Sequence, residues 1–194
     1  MNTWLQEIYP LFVCLWLAAH FITNNRGSKR GRKCHSTKTA LDDAIPFVPG
    51  MAIFYFSGFI LANMAYFFFG PTKYFSCIAI GYGVQFVISL FLYTVYPCRV
   101  NRCENFTPDS ISSYSLAVFQ RISQPFNAFP SMHASYCLFS ALAVWNYGSS
   151  HATGLVMIAW AVLVALSTLL TKQHHIVDVL AGATLGAGSY VLAM

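Results

Sequence analysis

Apolar residues run along the chain in long, unbroken blocks rather than in an alternating pattern. A membrane-crossing helix needs about 20 mostly apolar residues, and six stretches approach that length. They cover residues 4–22, 47–69, 74–96, 130–147, 152–170 and 174–194. The first is the least apolar, with Glu7, Pro10 and His20 inside it. The last is thinned by Gly182, Gly186 and Gly188, which allow helices to approach closely, as small residues at helix interfaces do. Continuous runs exclude a membrane β-barrel, whose strands alternate. The pattern predicts one all-α membrane domain over 1–194, a six-helix transmembrane bundle.

Two polar segments interrupt the blocks, residues 23–44 and 97–129. Within the second, Ile111, Leu116, Val118, Phe119 and Ile122 recur at helical spacing, which predicts a short helix over 110–123 on the membrane surface. Six alternating spans put both segments and the 171–174 turn on one side. Ten of the eleven Lys and Arg lie there, all but Lys73. By the positive-inside rule that side is cytoplasmic.

Composition narrows the class. Among 194 residues 57% are hydrophobic and 9% charged, against about 25% charged in a soluble domain. The net charge of +5 comes with no basic helix suited to reading bases, so a nucleic-acid partner is not expected. Six scattered cysteines match neither a zinc spacing nor a disulfide framework and read as free thiols. The first 22 residues lack a basic start and a small-residue cleavage site, so they read as a retained span. The aromatic runs of the second and third spans read as lipid-facing and packing residues. His20, His35 and His151 read as structural or solvated.

Ionisable residues at span ends stand out, because charge near the bilayer is costly. Pro130-Ser131-Met132-His133 opens the fourth block. Pro suits the first turn of a helix, and a helix start offers free N–H groups and its positive dipole end to an anion. Ser131 adds a hydroxyl donor. Thr171-Lys172-Gln173-His174-His175-Ile176-Val177-Asp178 opens the sixth. On a helix His174 and Asp178 share a face at i and i+4. A carboxylate on one ring nitrogen fixes the tautomer and raises the basicity of the other. A cap formed by Asp178 with Lys172 is the plainer alternative, but it leaves both histidines unexplained. With Arg99, Arg102 and Lys172 on the same side, the set suits phosphoryl transfer: one histidine attacks phosphorus, the other protonates the leaving oxygen, and the cations neutralise charge. No carboxylate cluster suggests a two-metal site, so neither metal nor cofactor is expected.

Pro130-Ser131-Met132-His133 followed by His174-x3-Asp178, each opening a span, resembles the type-2 phosphatidic acid phosphatase superfamily. Leu41-Asp42-Asp43-Ala44-Ile45-Pro46-Phe47-Val48-Pro49 and Thr171-Lys172-Gln173-His174 resemble its inositolphosphorylceramide-synthase branch. The resemblance implies a six-helix bundle, with a phosphohistidine on His174 oriented by Asp178. It further implies His133 as general acid, Ser131 with nearby N–H groups on the phosphate, a lipid-phosphate substrate, and a site on the periplasmic or luminal face. The family's Lys-x6-Arg-Pro motif is altered: Arg102 precedes Cys103, and Val95 stands seven before it. Arg102 is a better match than Arg99. The family's Ser-Arg pair is Ser167-Thr168 here, with Lys172 as the candidate substitute cation. A lipid-phosphate phosphatase is the leading expectation. A phosphotransferase passing a phospho-headgroup to a second alcohol comes next, and a non-catalytic membrane scaffold with a degraded site third.

Overall fold

The structure, a computed structural model, describes residues 4–27, 33–70 and 72–194, and in the first helix the side chains of 11 and 13–24. Lys29, Arg30, Arg32 and the side chain of Arg26, from the expected basic loop, lie outside the described residues. The architecture is all-helical: α1 Trp4–Gly27, α2 Ala40–Ala44, α3 Ala52–Phe69 after a 3₁₀ turn, α4 Phe75–Val95, α5 Ile111–Ile122, α6 Met132–Tyr147, α7 His151–Leu170 and α8 Ile176–Ala193. Among the described residues, four helical segments are long and apolar enough to cross a membrane: Pro49–Phe69, Phe75–Val95, His151–Leu170 and Ile176–Ala193. The other two expected spans, in α1 and α6, are not among these four. Among the described side chains of α1, Val13–Asn24 is a shorter apolar stretch. The 16 residues of α6 rise about 24 Å at 1.5 Å each, less than the ~30 Å hydrocarbon core.

The central position of α6 suits its sequence. Ten of its residues, from Met132 to Val144, are buried, and it packs on α3, α7 and α8. Small and hydroxylated side chains let its neighbours approach and bond across. Ser135 donates to Gln85 Oε1 (2.6 Å), and Ser140 donates to the Ala62 carbonyl (3.0 Å). Polar bonds and close packing, rather than a hydrophobic drive, hold helices together in lipid. Gly182 and Gly186 of α8 lie against the backbone of Ser131 and Ser135, while Gly188 faces open space.

This contrast gives a stability prediction. Gly186→Val places a Cβ against the Ser135 carbonyl and is expected to destabilise by about 1–3 kcal/mol. Gly188→Val meets no neighbour and serves as the control. Thermal unfolding of both in detergent checks this; equal losses would contradict the packing account.

The expected surface helix is present as α5. Ser110 caps it, accepting from the Ser113 N–H (3.2 Å). Leu116 is buried and Ile111, Tyr114 and Ile122 are exposed, so the helix turns an apolar edge outward beside α3. All six cysteines are free. Short hydrogen bonds tie the helix ends on one side of the bundle together. Val48 N–H donates to the Leu170 carbonyl (2.8 Å) and Ser131 N–H to that of Asp178 (2.9 Å). The Tyr93 hydroxyl donates to the Pro130 carbonyl (2.9 Å).

Candidate functional site

The two motifs meet at this tied end. His175 is the N-cap of α8, and Asp178, three residues on, accepts its N–H at Oδ2 (2.8 Å). A carboxylate there satisfies an orphan donor and complements the helix dipole. The cap leaves His174 one residue outside the helix, so His174 and Asp178 do not form the expected helical pair. Their Nδ1–Oδ2 separation is 3.8 Å, too long for a hydrogen bond. His174 Nδ1 instead lies 2.9 Å from the Ala128 carbonyl. A carbonyl only accepts, so Nδ1 carries the proton and Nε2 keeps a free lone pair. The tautomer expected from Asp178 is thus set by Ala128.

Asp178 has a second partner. Its Oδ1 accepts the Thr37 hydroxyl (2.6 Å), and Thr37 Oγ1 lies 3.0 Å from His175 Nδ1. One hydroxyl proton permits one order: His175 Nδ1–H to Thr37, Thr37 O–H to Asp178. The segment before α3 is thereby strapped over the α8 start. Asp42 reinforces it, accepting the Ile176 N–H (2.8 Å) and the Thr39 N–H (2.7 Å). Burial opposes the Asp42 charge, but these bonds and the Thr39 hydroxyl outweigh it and hold the pKa below its ordinary value. This assigns a structural task to the Leu41–Pro49 segment.

α6 begins at Met132 rather than Pro130. Ser131 is its N-cap, accepting the Ala134 N–H (3.4 Å), and is fully buried. His133 sits in the first turn. Its ring stacks on Tyr55 (4.3 Å between centroids, 29°) and meets Phe59 edge-on (5.1 Å). Its Nε2 is buried without a hydrogen-bond partner. Its ring centroid is 6.1 Å from that of His174.

The expected cations separate. Arg102 donates from Nη1 to the Ser123 carbonyl (2.6 Å), and its Nε is buried and unpaired. Burial lowers its pKa, with Tyr55 and Glu104 acting the other way; a guanidinium still stays charged. Arg99 is exposed, and its N–H donates to the His35 carbonyl (2.9 Å). Lys172, in a left-handed turn at φ 55, donates its ammonium to the carbonyls of Asp42 (2.8 Å) and Ile45 (2.5 Å). Arg102 and Lys172 are therefore held on this side by their contacts, and a count of cations there overstates the topological signal.

A cavity of about 310 Å³ brings His133, His174 and Arg102 together. Tyr55, Tyr93, Asn127, Gln173 and His20 add further polar groups to its lining, and Leu17, Phe21, Phe59, Met132 and Tyr136 add apolar ones. Ser131, Arg99, Lys172 and Asp178 do not line it. A second cavity of about 480 Å³, lined by Lys38, Asp42, Lys172 and His175, shares Arg102 and His174 with the first.

Residues 123–128 were read only as connection, yet they position the site. Ser123 holds Arg102 and Ala128 holds His174. Asn127, at φ 59, donates to the His20 carbonyl (3.0 Å) and Thr23 Oγ1 (2.8 Å). Asn24 donates to Ser123 Oγ (3.2 Å) and accepts the Phe126 N–H (3.2 Å). A turn-compatible Asn beside Pro125 was the available signal. Tyr55 and Phe59, expected as packing or lipid-facing aromatics, line the site as well.

A family model described as the PAP2 superfamily matches residues 70–194. Among solved structures, the crystal structure of Aquifex aeolicus LpxE is similar in fold, with a TM-score of 0.53 at 16% identity. The match covers 91% of this chain and 93% of that one. No curated protein sequence matches.

Proposed function

The chain belongs to the PAP2 superfamily, and from that premise we propose that it is a membrane-embedded phosphatase of lipid phosphomonoesters or pyrophosphates. It works through a phosphohistidine and without a metal. One observation carries the reading: a single cavity is lined by two imidazoles, a guanidinium and many apolar side chains. That combination suits a phosphate on a hydrocarbon tail.

In this reading Arg102 binds the non-bridging oxygens of the substrate phosphate. His174 Nε2 attacks phosphorus, and the bond from phosphorus to the lipid oxygen breaks. Protonated His133 gives its proton to that oxygen, so the leaving group departs as an alcohol. As the His174 ring gains charge, the Ala128 carbonyl holds its N–H, and Asp178 at 3.8 Å adds a favourable field. Water then attacks the phosphohistidine, His133 takes the water proton, and phosphate leaves with His174 restored.

A phosphotransferase shares the first half and differs in the alcohol that enters second. The second cavity, which meets the first at Arg102 and His174, gives a water-soluble acceptor a route and keeps this reading in play.

The test is phosphate release by purified protein in detergent from phosphatidic acid, phosphatidylglycerophosphate, polyprenyl pyrophosphate and lipid A phosphate. Release is expected to persist in EDTA and to be blocked by vanadate, which mimics the pentacoordinate transition state. Transfer to an added polyol in place of phosphate release would favour the second reading. Loss on chelation, restored by Mg²⁺, would contradict the mechanism.

A further inference from the structure

The cavity holds a third imidazole that the reaction above does not use. His20 of α1 lines it with His133, His174 and Arg102. Its Nδ1 is buried with no hydrogen-bond partner, a condition native proteins avoid unless a ligand or water completes it. The ring is held in place. Trp16 stacks on it (5.8 Å, 23°) and Tyr93 meets it edge-on (6.1 Å, 79°). The helix beneath is pinned, since Asn127 donates to the His20 carbonyl and to Thr23. Asn24, bonded to Ser123 Oγ, locks the same stretch of α1 to the 123–128 segment, whose carbonyls hold Arg102 and His174.

Removing one phosphoryl group from a lipid needs a nucleophile, an acid and a cation. His174, His133 and Arg102 fill those roles. A fixed, unpaired imidazole in the same cavity therefore has a partner other than the phosphorus being transferred. We propose that His20 is a specificity-determining residue that hydrogen-bonds an oxygen the lipid carries beyond its scissile phosphate. This rests on the phosphatase reading and deepens it. The oxygen belongs either to the second phosphate of a diphosphate lipid or to the ester oxygens of a diacylglycerol backbone. In both cases the substrate presents a polar atom between its phosphate and its tail, and His20 selects against lipids that lack one.

The experiment compares kcat/KM of wild type, His20→Phe and His20→Asn in mixed micelles. The substrates are polyprenyl monophosphate, polyprenyl diphosphate, phosphatidic acid and p-nitrophenyl phosphate. A binding site built to hydrogen-bond a substrate oxygen discriminates strongly when one partner is removed. His20→Phe is expected to lose about 10- to 100-fold on an oxygen-bearing lipid. Its loss on the monophosphate and the nitrophenyl ester is expected to be at least about tenfold smaller. His20→Asn, which keeps polar atoms, is expected to recover part of the difference. A selective loss on the diphosphate names the second phosphate as the partner, and one on phosphatidic acid names the glycerol oxygens. If His20→Phe does not fold, His20→Asn alone is expected to show the same order of losses at smaller amplitude. Equal losses on all four substrates, or none, with wild type active, would overturn the role of His20 and leave the phosphatase reading standing. Wild type inactive on all four, and also on phosphatidylglycerophosphate and lipid A phosphate, would overturn that reading and this inference with it.

Discussion

His174→Ala is expected to abolish turnover on every lipid phosphate, while the protein still folds. In the proposed mechanism this ring supplies the attacking nitrogen. Removing a nucleophile that acts as a unit with its acid costs on the order of 10⁴-fold or more. The folded state loses one hydrogen bond to the Ala128 carbonyl, worth about 1 kcal/mol, so unfolding is expected to shift little. Phosphate release and thermal unfolding of the purified variant, side by side, check this. Turnover above about 1% of wild type would contradict it. So would the reverse pattern, in which His175→Ala abolishes turnover and His174→Ala spares it. His175 faces Thr37 and Asp178 and takes no part in the proposed chemistry.

His133→Ala carries the second large effect, and its size is expected to depend on the leaving group. Alkoxide is a poor leaving group and needs a proton as the bond breaks. General acid catalysis contributes about 10²–10⁴-fold, and that is the loss expected with a lipid phosphate. A nitrophenolate leaves without protonation, so the loss with p-nitrophenyl phosphate is expected to be far smaller. The geometry behind this is the buried, unpaired Nε2 of His133 and the 6.1 Å between its ring and that of His174. Equal losses on the two substrates would contradict the acid role and point to binding or packing instead.

The parts of the site legible in the sequence were those written in local motifs. Both histidine motifs mark helix starts in the chain, and both helices begin within two residues of the expected positions. What failed was finer than that margin. The cap at His175 moves His174 out of the helix by one residue, and this breaks the i, i+4 pairing with Asp178. Helix starts read from sequence carry an error of that size, so the carbonyl that holds His174 was beyond reach. Of the two arginines the motif favours Arg102, and the structure separates them further: the Ser123 carbonyl draws Arg102 inward while Arg99 is exposed. Asn127 and His20 were missed for another reason. Their contact spans 107 positions, and no local pattern encodes a bond between a loop and a helix that far apart. Four of the six expected spans are helical segments long and apolar enough to cross a membrane among the described residues. α6, the packed centre of the bundle, is built from small and hydroxylated residues that let its neighbours approach.

The central claim is a covalent phosphohistidine at one named residue. Purified protein mixed with ³²P-labelled lipid phosphate, quenched with alkali in the first turnover and digested, tests it most directly. An alkali-stable, acid-labile label on the peptide containing His174, absent in His174→Ala and chased by water into free phosphate, is the expected result. Rapid phosphate release from wild type with no label on that peptide, or label that survives in His174→Ala, would contradict the account.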